Sequence, residues 1–224
     1  MNNRLLVILS ILCLALCASA GAYASTDEVA QSDSAIYQSM SLKLDIAMPV
    51  LELARSKGAV QDYEMAINVR LANRYYPTLE LGYALASTSA SGGHYRGQGG
   101  FARVGMDLSA LKKGVGDNCL MVGLRLAGAY QGFQITDVPV CGNSLSSLPN
   151  VAYYDQRKFD LWGEIVAGCQ VQIWRAFQMG WYVRMKLLMT RTDKQGDALP
   201  AYLPGYGYRR DFNWGLNYYL AYKF

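Results

Sequence analysis

Hydrophobic and polar residues alternate with period two along most of this chain. The last thirteen residues do so without a break. Phe212, Trp214, Leu216, Tyr218, Leu220, Tyr222 and Phe224 hold one set of positions, and Asn213, Gly215, Asn217, Tyr219, Ala221 and Lys223 hold the other. Successive side chains of a strand point to opposite faces. This segment therefore reads as a strand with one large apolar face and one small or polar face. Seven earlier segments share the asymmetry, at about 40–48, 61–72, 78–88, 100–108, 119–133, 158–173 and 177–190. In the second, Tyr63, Met65, Ile67, Val69 and Leu71 oppose Glu64, Asn68 and Arg70. In the seventh, Met179, Trp181, Val183, Met185 and Leu187 oppose Gln178, Gly180, Arg184 and Lys186. Eight such strands predict an all-β fold, an eight-stranded antiparallel up-and-down barrel that crosses a membrane.

The connections fit that topology. Those at about 73–77, 109–118 and 174–176 belong at one end, and those at 49–60, 89–99, 134–157 and 191–211 at the other. The second set includes the three longest. Outer-membrane barrels have short periplasmic turns and longer external loops.

A soluble barrel of the lipocalin type would show the same period with its apolar face inward. The polar face argues for the membrane. It carries Lys43, Arg70, Arg103, Arg125, Arg184, Lys186 and Lys223 against Asp45, Glu64, Glu80, Asp107, Asp160 and Glu164, interspersed with glycines. Small residues suit a crowded lumen, because eight strands enclose just enough room for side chains. Charges held there must be paired. A short second turn that sets Ala72 opposite Thr78 would set Arg70 opposite Glu80. Similar arithmetic places Glu164 near Lys186 or Arg184. Arg70, Glu80, Arg103, Asp107, Arg125, Glu164, Arg184 and Lys186 are thus the expected lumen network, acting as a plug or as a gated ion path. Trp181, Phe212 and Trp214, near strand ends, suit interfacial girdles.

Composition sharpens this picture. Charged residues are 17% of the chain, below the roughly 25% usual in soluble domains, and aromatics are 12%. Residues 1–24 read as a secretory signal: Arg4, then an apolar stretch from Leu5 to Leu16, then Ala22-Tyr23-Ala24 as the cleavage site. An uncleaved anchor and lipidation at Cys17 are the alternatives. They are disfavoured by the polar run after Ala24 and by Leu16 before the cysteine. Residues 25–39 form a polar lead-in and 40–224 the barrel. Without Arg4, 20 cations face 17 anions, a balance of +3. No nucleic-acid partner is expected from so small a charge with no basic run.

The chemistry-bearing residues are sparse. Cys119, Cys141 and Cys169 are an odd set with no C-x-x-C, and the chain has one histidine, so neither a disulfide framework nor a metal site is expected. That residue, His94, lies in an expected loop and is the only basis for a lipid-modifying hydrolase. The loop at 198–211 is rich in Tyr and Pro. Tyr202, Tyr206, Tyr208, Arg209 and Arg210 are candidate external contacts, since Tyr and Arg are common binding anchors; the other reading is a loop packed over the barrel mouth.

The stretches Tyr76-Pro-Thr-Leu-Glu-Leu-Gly-Tyr83, Gly105-Met-Asp-Leu108, Val122-Gly-Leu-Arg125, Leu161-Trp-Gly-Glu164, Arg184-Met-Lys186 and Leu203-Pro-Gly-Tyr206 resemble an uncharacterised family of Bacteroidota outer-membrane barrels, a domain of unknown function. The resemblance spans the mature chain and implies fold and location, with no activity to transfer. Lys112, Lys113 and the cysteines fall outside it. The terminal pattern, Tyr222 and Phe224, also resembles the signal read by the bacterial barrel-assembly machinery. The expected protein is an outer-membrane barrel with a closed lumen and a structural or surface-interaction role. It is not an enzyme and needs no cofactor. Its partners would be outer-membrane lipid, the assembly machinery during insertion, and an unidentified surface ligand or periplasmic protein. The alternatives are an adhesion module built on the loops, the lipid hydrolase, and a narrow gated pore.

Overall fold

The computed structural model describes residues 37–47, 60–72, 74–90, 93–110, 118–138, 151–190 and 199–224. The expected signal segment and most of the lead-in lie outside them, as does Cys141. The strands are β1 (Tyr37–Asp45), β2 (Val60–Leu71), β3 (Tyr75–Ala90), β4 (Gly93–Ser109), β5 (Cys119–Val138), β6 (Val151–Trp174), β7 (Phe177–Leu188) and β10 (Phe212–Lys223); between the last two stand the two-residue strands β8 (Tyr202–Leu203) and β9 (Gly207–Tyr208). The eight long strands form a closed antiparallel up-and-down barrel in the order β1-β10-β7-β6-β5-β4-β3-β2. Closure joins β1 to β10, with Ser41 opposite Lys223 and Leu44 opposite Leu220. Closure pairs both strands that would otherwise be sheet edges.

Two hairpins on the short-turn rim are tight. Ala72 and Arg175 take φ of 46° and 45° there; positive φ is what lets a short turn match the twist of its strands. At the opposite rim β3, β4, β5 and β6 run farther than their alternation predicts. Residues 89–99, expected as a loop, are mostly ladder, with Ser87 opposite Arg96 and Ser89 opposite His94. The apolar signal fades there while the backbone pairing continues, so periodicity alone ends the strands early. His94 is on β4, not in a loop.

The two faces separate cleanly. Outward residues between the rims are Leu, Ile, Val and Met, and they are exposed. Near the long-loop rim a row of aromatics, broken only at Gly100, crosses five strands: Tyr63 faces Tyr83, Tyr83 faces Gly100, Gly100 faces Tyr130, and Tyr130 faces Phe159. Phe212 and Trp214 extend it on β10. Near the other rim Tyr37, Tyr75, Trp174, Phe177, Tyr222 and Phe224 are exposed. On β3 the two rows are Tyr75 and Tyr83, which lie about 26 Å apart along the strand at ~3.3 Å per residue.

The inward face is packed solid in layers. Next to the short-turn rim sit Tyr76, Cys119, Met121, Val166, Tyr182, Tyr219 and Ala221. Next to the other rim sit Phe101, Ala127, Ala129, Trp162, Leu203 and Tyr206, followed by Ala84, Ala86, Tyr95, Phe133 and Tyr202. Between them lies the charged layer described below. At its glycines the fit is tight. A Cβ on Gly168 would lie 2.2 Å from the Trp181 carbonyl oxygen and 2.5 Å from the Tyr182 ring. Gly168→Ala is therefore expected to cost about 1–3 kcal/mol, as overpacking does. A lower urea midpoint of the folded band on unboiled gels would register it, and an unchanged midpoint would mean the lumen has slack.

Candidate functional site

Three guanidiniums and four carboxylates converge at mid-barrel. Inward positions on β2, β3, β4, β5, β6 and β7 supply them, because each of these strands puts a charged residue on its small-residue face. Glu80 is the hub. It accepts hydrogen bonds from Arg103 Nη1 at 3.1 Å, Arg125 Nε at 3.1 Å and Arg184 Nη1 at 2.8 Å. Arg125 also grips Asp107 with both fork nitrogens, at 2.7 and 2.8 Å. Arg103 Nε donates to Glu164 at 3.0 Å, and Arg103 Nη1 lies 2.6 Å from Glu64. Arg184 reaches Glu164 at 3.0 Å, Glu64 at 3.1 Å and the Asn217 amide oxygen at 2.6 Å. The indole of Trp162 donates to Glu164 at 2.6 Å. Charge-assisted and forked bonds of this kind are the strongest hydrogen bonds a protein makes.

Lys43 stands on the short-turn side of the layer. Its ammonium donates to the Tyr182 hydroxyl at 2.9 Å and sits 4.4 Å from the Tyr219 ring centre. The two phenol rings stack at 5.1 Å. Farther down, Gln170 bonds Gln178 at 2.5 Å. A cavity of about 10 Å³ is bounded by Lys43, Glu64, Glu80, Tyr182 and Asn217. That is close to the space one water needs.

On the other side the layer is covered by the chain itself. The strap from Leu199 to Asp211 enters the mouth and turns back. Gly205 sits at its tip with φ of 71°. Arg103 Nη2 donates to the Gly205 carbonyl at 2.7 Å, and Lys186 Nζ donates to the same oxygen at 2.6 Å and to the Tyr206 carbonyl at 3.3 Å. Tyr206 packs edge-on to Trp162 at 5.5 Å. Tyr95 donates to the Tyr202 carbonyl at 3.1 Å, and Arg209 pairs with Asp160 at 3.1 Å near the rim. Burial pushes the Tyr202 phenol well up.

A family model described as a domain of unknown function (DUF6048) matches residues 4–224. The chain belongs to this family. No curated protein and no solved structure matches it.

The expected lumen residues separate on inspection of the register. Glu80, Arg103, Asp107, Arg125, Glu164 and Arg184 meet in one layer. Glu164 does stand opposite Lys186, but the Lys186 ammonium bonds the strap carbonyls. Arg70 is not opposite Glu80. The second turn sets Leu71 opposite Tyr75 and Asn68 opposite Thr78, so Glu80 faces Ala66. A turn two residues shorter than the expected 73–77 moves the partner of Glu80 by four residues, from Arg70 to Ala66. Lys43, Glu64 and Asn217, expected on the polar face but not in the network, join it, and so does Trp162, which shares their inward parity. Of the expected external contacts, Tyr202 and Tyr206 are buried at 8% and 1% exposure, whereas Tyr208 and Arg210 remain exposed. The strap turns Tyr202 and Tyr206 inward, where the Trp162 ring packs on Tyr206 and Arg103 and Lys186 donate to the strap's carbonyls. Cys119 and Cys169 are both buried. Among the described residues no group of three or more His, Cys, Asp or Glu could hold a metal.

Proposed function

We propose that this protein is an integral outer-membrane barrel whose lumen is closed twice, by the ionic layer and by the strap. Its role is structural or surface-interacting, without catalysis. The observation that carries the reading is the inverted polarity of a complete ring. Leu42, Met65, Leu81, Val104, Leu124, Ile165, Leu187 and Leu216, one from each strand, face outward and are exposed, while Glu80, Arg103, Arg125 and Arg184 are buried inside. Soluble monomers rarely expose a contiguous apolar patch above a few hundred Å². An apolar belt edged by aromatics is what lipid demands of a barrel. The likeness to Bacteroidota barrels and the leader at 1–24 support a Gram-negative outer membrane. The aromatic end of β10, Tyr222 and Phe224, supports delivery by the barrel-assembly machinery. Any surface partner would meet the long-loop rim, where Tyr208 and Arg210 are exposed.

The test is fractionation followed by reconstitution. The full-length protein expressed in a Gram-negative host should stay in the outer-membrane pellet after urea and carbonate washes. It should run faster on gels unboiled than boiled, and give no steady current in planar bilayers. Release into the soluble fraction by urea would sink the membrane reading. A stable unitary conductance would sink the closed lumen.

A further inference from the structure

The outer face changes character abruptly one step above the aromatic row. The next row reads Gln61, Leu85, Gln98, Gly132 and Arg157, and the row beyond it Ser87, Arg96 and Gln134. The strands continue, but the side chains become polar. Two grooves open in this part of the wall, of about 410 and 350 Å³. Arg96, Ser87 and Gln134 line both. The lower groove also touches Leu85 and Gln98, and Gly132 forms its floor. A Cβ on Gly132 would meet nothing within 4 Å, and one on Gly100 only a carbonyl oxygen at 3.7 Å. Gly132 lines the lower groove, and Gly100 stands one step toward the apolar belt on the neighbouring strand, so neither position puts a side chain between Arg96 and the belt.

Arg96 is exposed, and among the described residues no carboxylate pairs with it. This separates it from Arg103, Arg125 and Arg184, which are all buried and paired. A planar guanidinium with amide and hydroxyl groups beside it is well suited to a phosphate, which it can bind with two parallel hydrogen bonds. Tyr83 and Tyr130 flank Gly100 at the level where amphipathic rings meet headgroups.

We propose that this groove is a binding site for a phosphorylated membrane lipid, with the phosphate on Arg96 and an acyl chain running down past Gly132 and Gly100. The inference rests on the membrane reading above. The outward Leu85 in the groove wall, with the open glycine positions between Arg96 and the apolar belt, selects a lipid over a free anion, since a free phosphate has no use for an apolar path.

The experiment uses the full-length protein purified in a neutral detergent. Binding of lipid A is measured by native mass spectrometry beside lipid A stripped of its phosphates. Excess inorganic phosphate serves as competitor. Arg96→Gln should weaken binding of the phosphorylated lipid about tenfold or more, the scale of a lost charged hydrogen bond. Arg96→Lys should restore part of it. Gly132→Trp should block binding by filling the groove while Arg96 stays in place. Neither position touches the lumen, so each variant should keep its gel shift on heating. Equal binding by wild type and Arg96→Gln would overturn the proposal. Displacement of the lipid by millimolar inorganic phosphate would replace it with an ion site. Failure of the membrane reading has a separate signature: the wild type would lack the gel shift and remain soluble without detergent.

Discussion

Glu80→Gln should lower the stability of the folded barrel by about 3–5 kcal/mol, the range for breaking a buried charge pair from one side. The side chain keeps its shape but loses its charge. Arg103, Arg125 and Arg184 all donate to Glu80, and each would keep its charge in a lumen closed to water. Urea titration, read from the heat-sensitive band, measures the loss. Adding Arg184→Gln removes one of the stranded cations and should return part of it. A coupling of at least about 1 kcal/mol between the two sites is expected for residues in one network. If Glu80→Gln unfolds at the wild-type midpoint, the layer does not hold the barrel together. The same substitution would be the obvious way to look for a pore. The expected outcome is a weaker barrel with no current, because the strap still covers the layer.

The second large effect belongs to the strap. Gly205 has φ of 71°, and a Cβ there would lie 2.6 Å from the Phe101 ring. Gly205→Val combines left-handed backbone strain with overpacking, together about 2–4 kcal/mol against the seated strap. Seating also supplies the carbonyl that Arg103 and Lys186 share. The strap carries its own reporter, Arg209-Arg210, which trypsin can cut when the segment lifts. If cleavage follows the open population, the variant should be cut about thirtyfold faster or more. The barrel ladder is untouched, so the gel shift should persist. A cleavage rate equal to wild type would mean that Gly205 does not govern seating.

Much of this fold was legible because period-two alternation survives in every long strand. Leu120, Val122, Leu124 and Leu126 against Arg125 and Ala127 assign both faces of β5 with no further information. What was lost follows from physics that alternation does not carry. The register of β2 on β3 depends on the length of their turn, and three residues in place of five set Glu80 opposite Ala66 instead of Arg70. The tops of β3 and β4 keep their backbone bonds where Ser87, Arg96 and Gln98 replace apolar residues, so His94 was taken for a loop residue. The strap was visible as a run of Pro and Tyr, but its direction depends on what the mouth needs. Carboxylates take Nε and Nη1 of Arg103, while its Nη2 and the Lys186 ammonium bond two backbone carbonyls of the strap. Trp162 was missed because a large aromatic on the small face breaks the local rule. It is accommodated beside Ala127 and under Tyr206, with its indole nitrogen on Glu164.

The distribution of the layer's charges among hairpins bears on the order in which the molecule can be built. The β2–β3 hairpin brings Glu64 and Glu80 with no cation of the layer. The β4–β5 hairpin brings Arg103 and Arg125 against Asp107, and the β6–β7 hairpin Arg184 and Lys186 against Glu164. No hairpin is neutral by itself. A half-built sheet therefore carries uncompensated charge on its concave side and holds water there. Drying of the interior waits for β10 to bring Asn217 to Arg184 and for the strap to bring the Gly205 carbonyl. A chain truncated before β10 would lack the strand that closes the barrel on β1 and should remain a wet, open sheet however many strands had already paired.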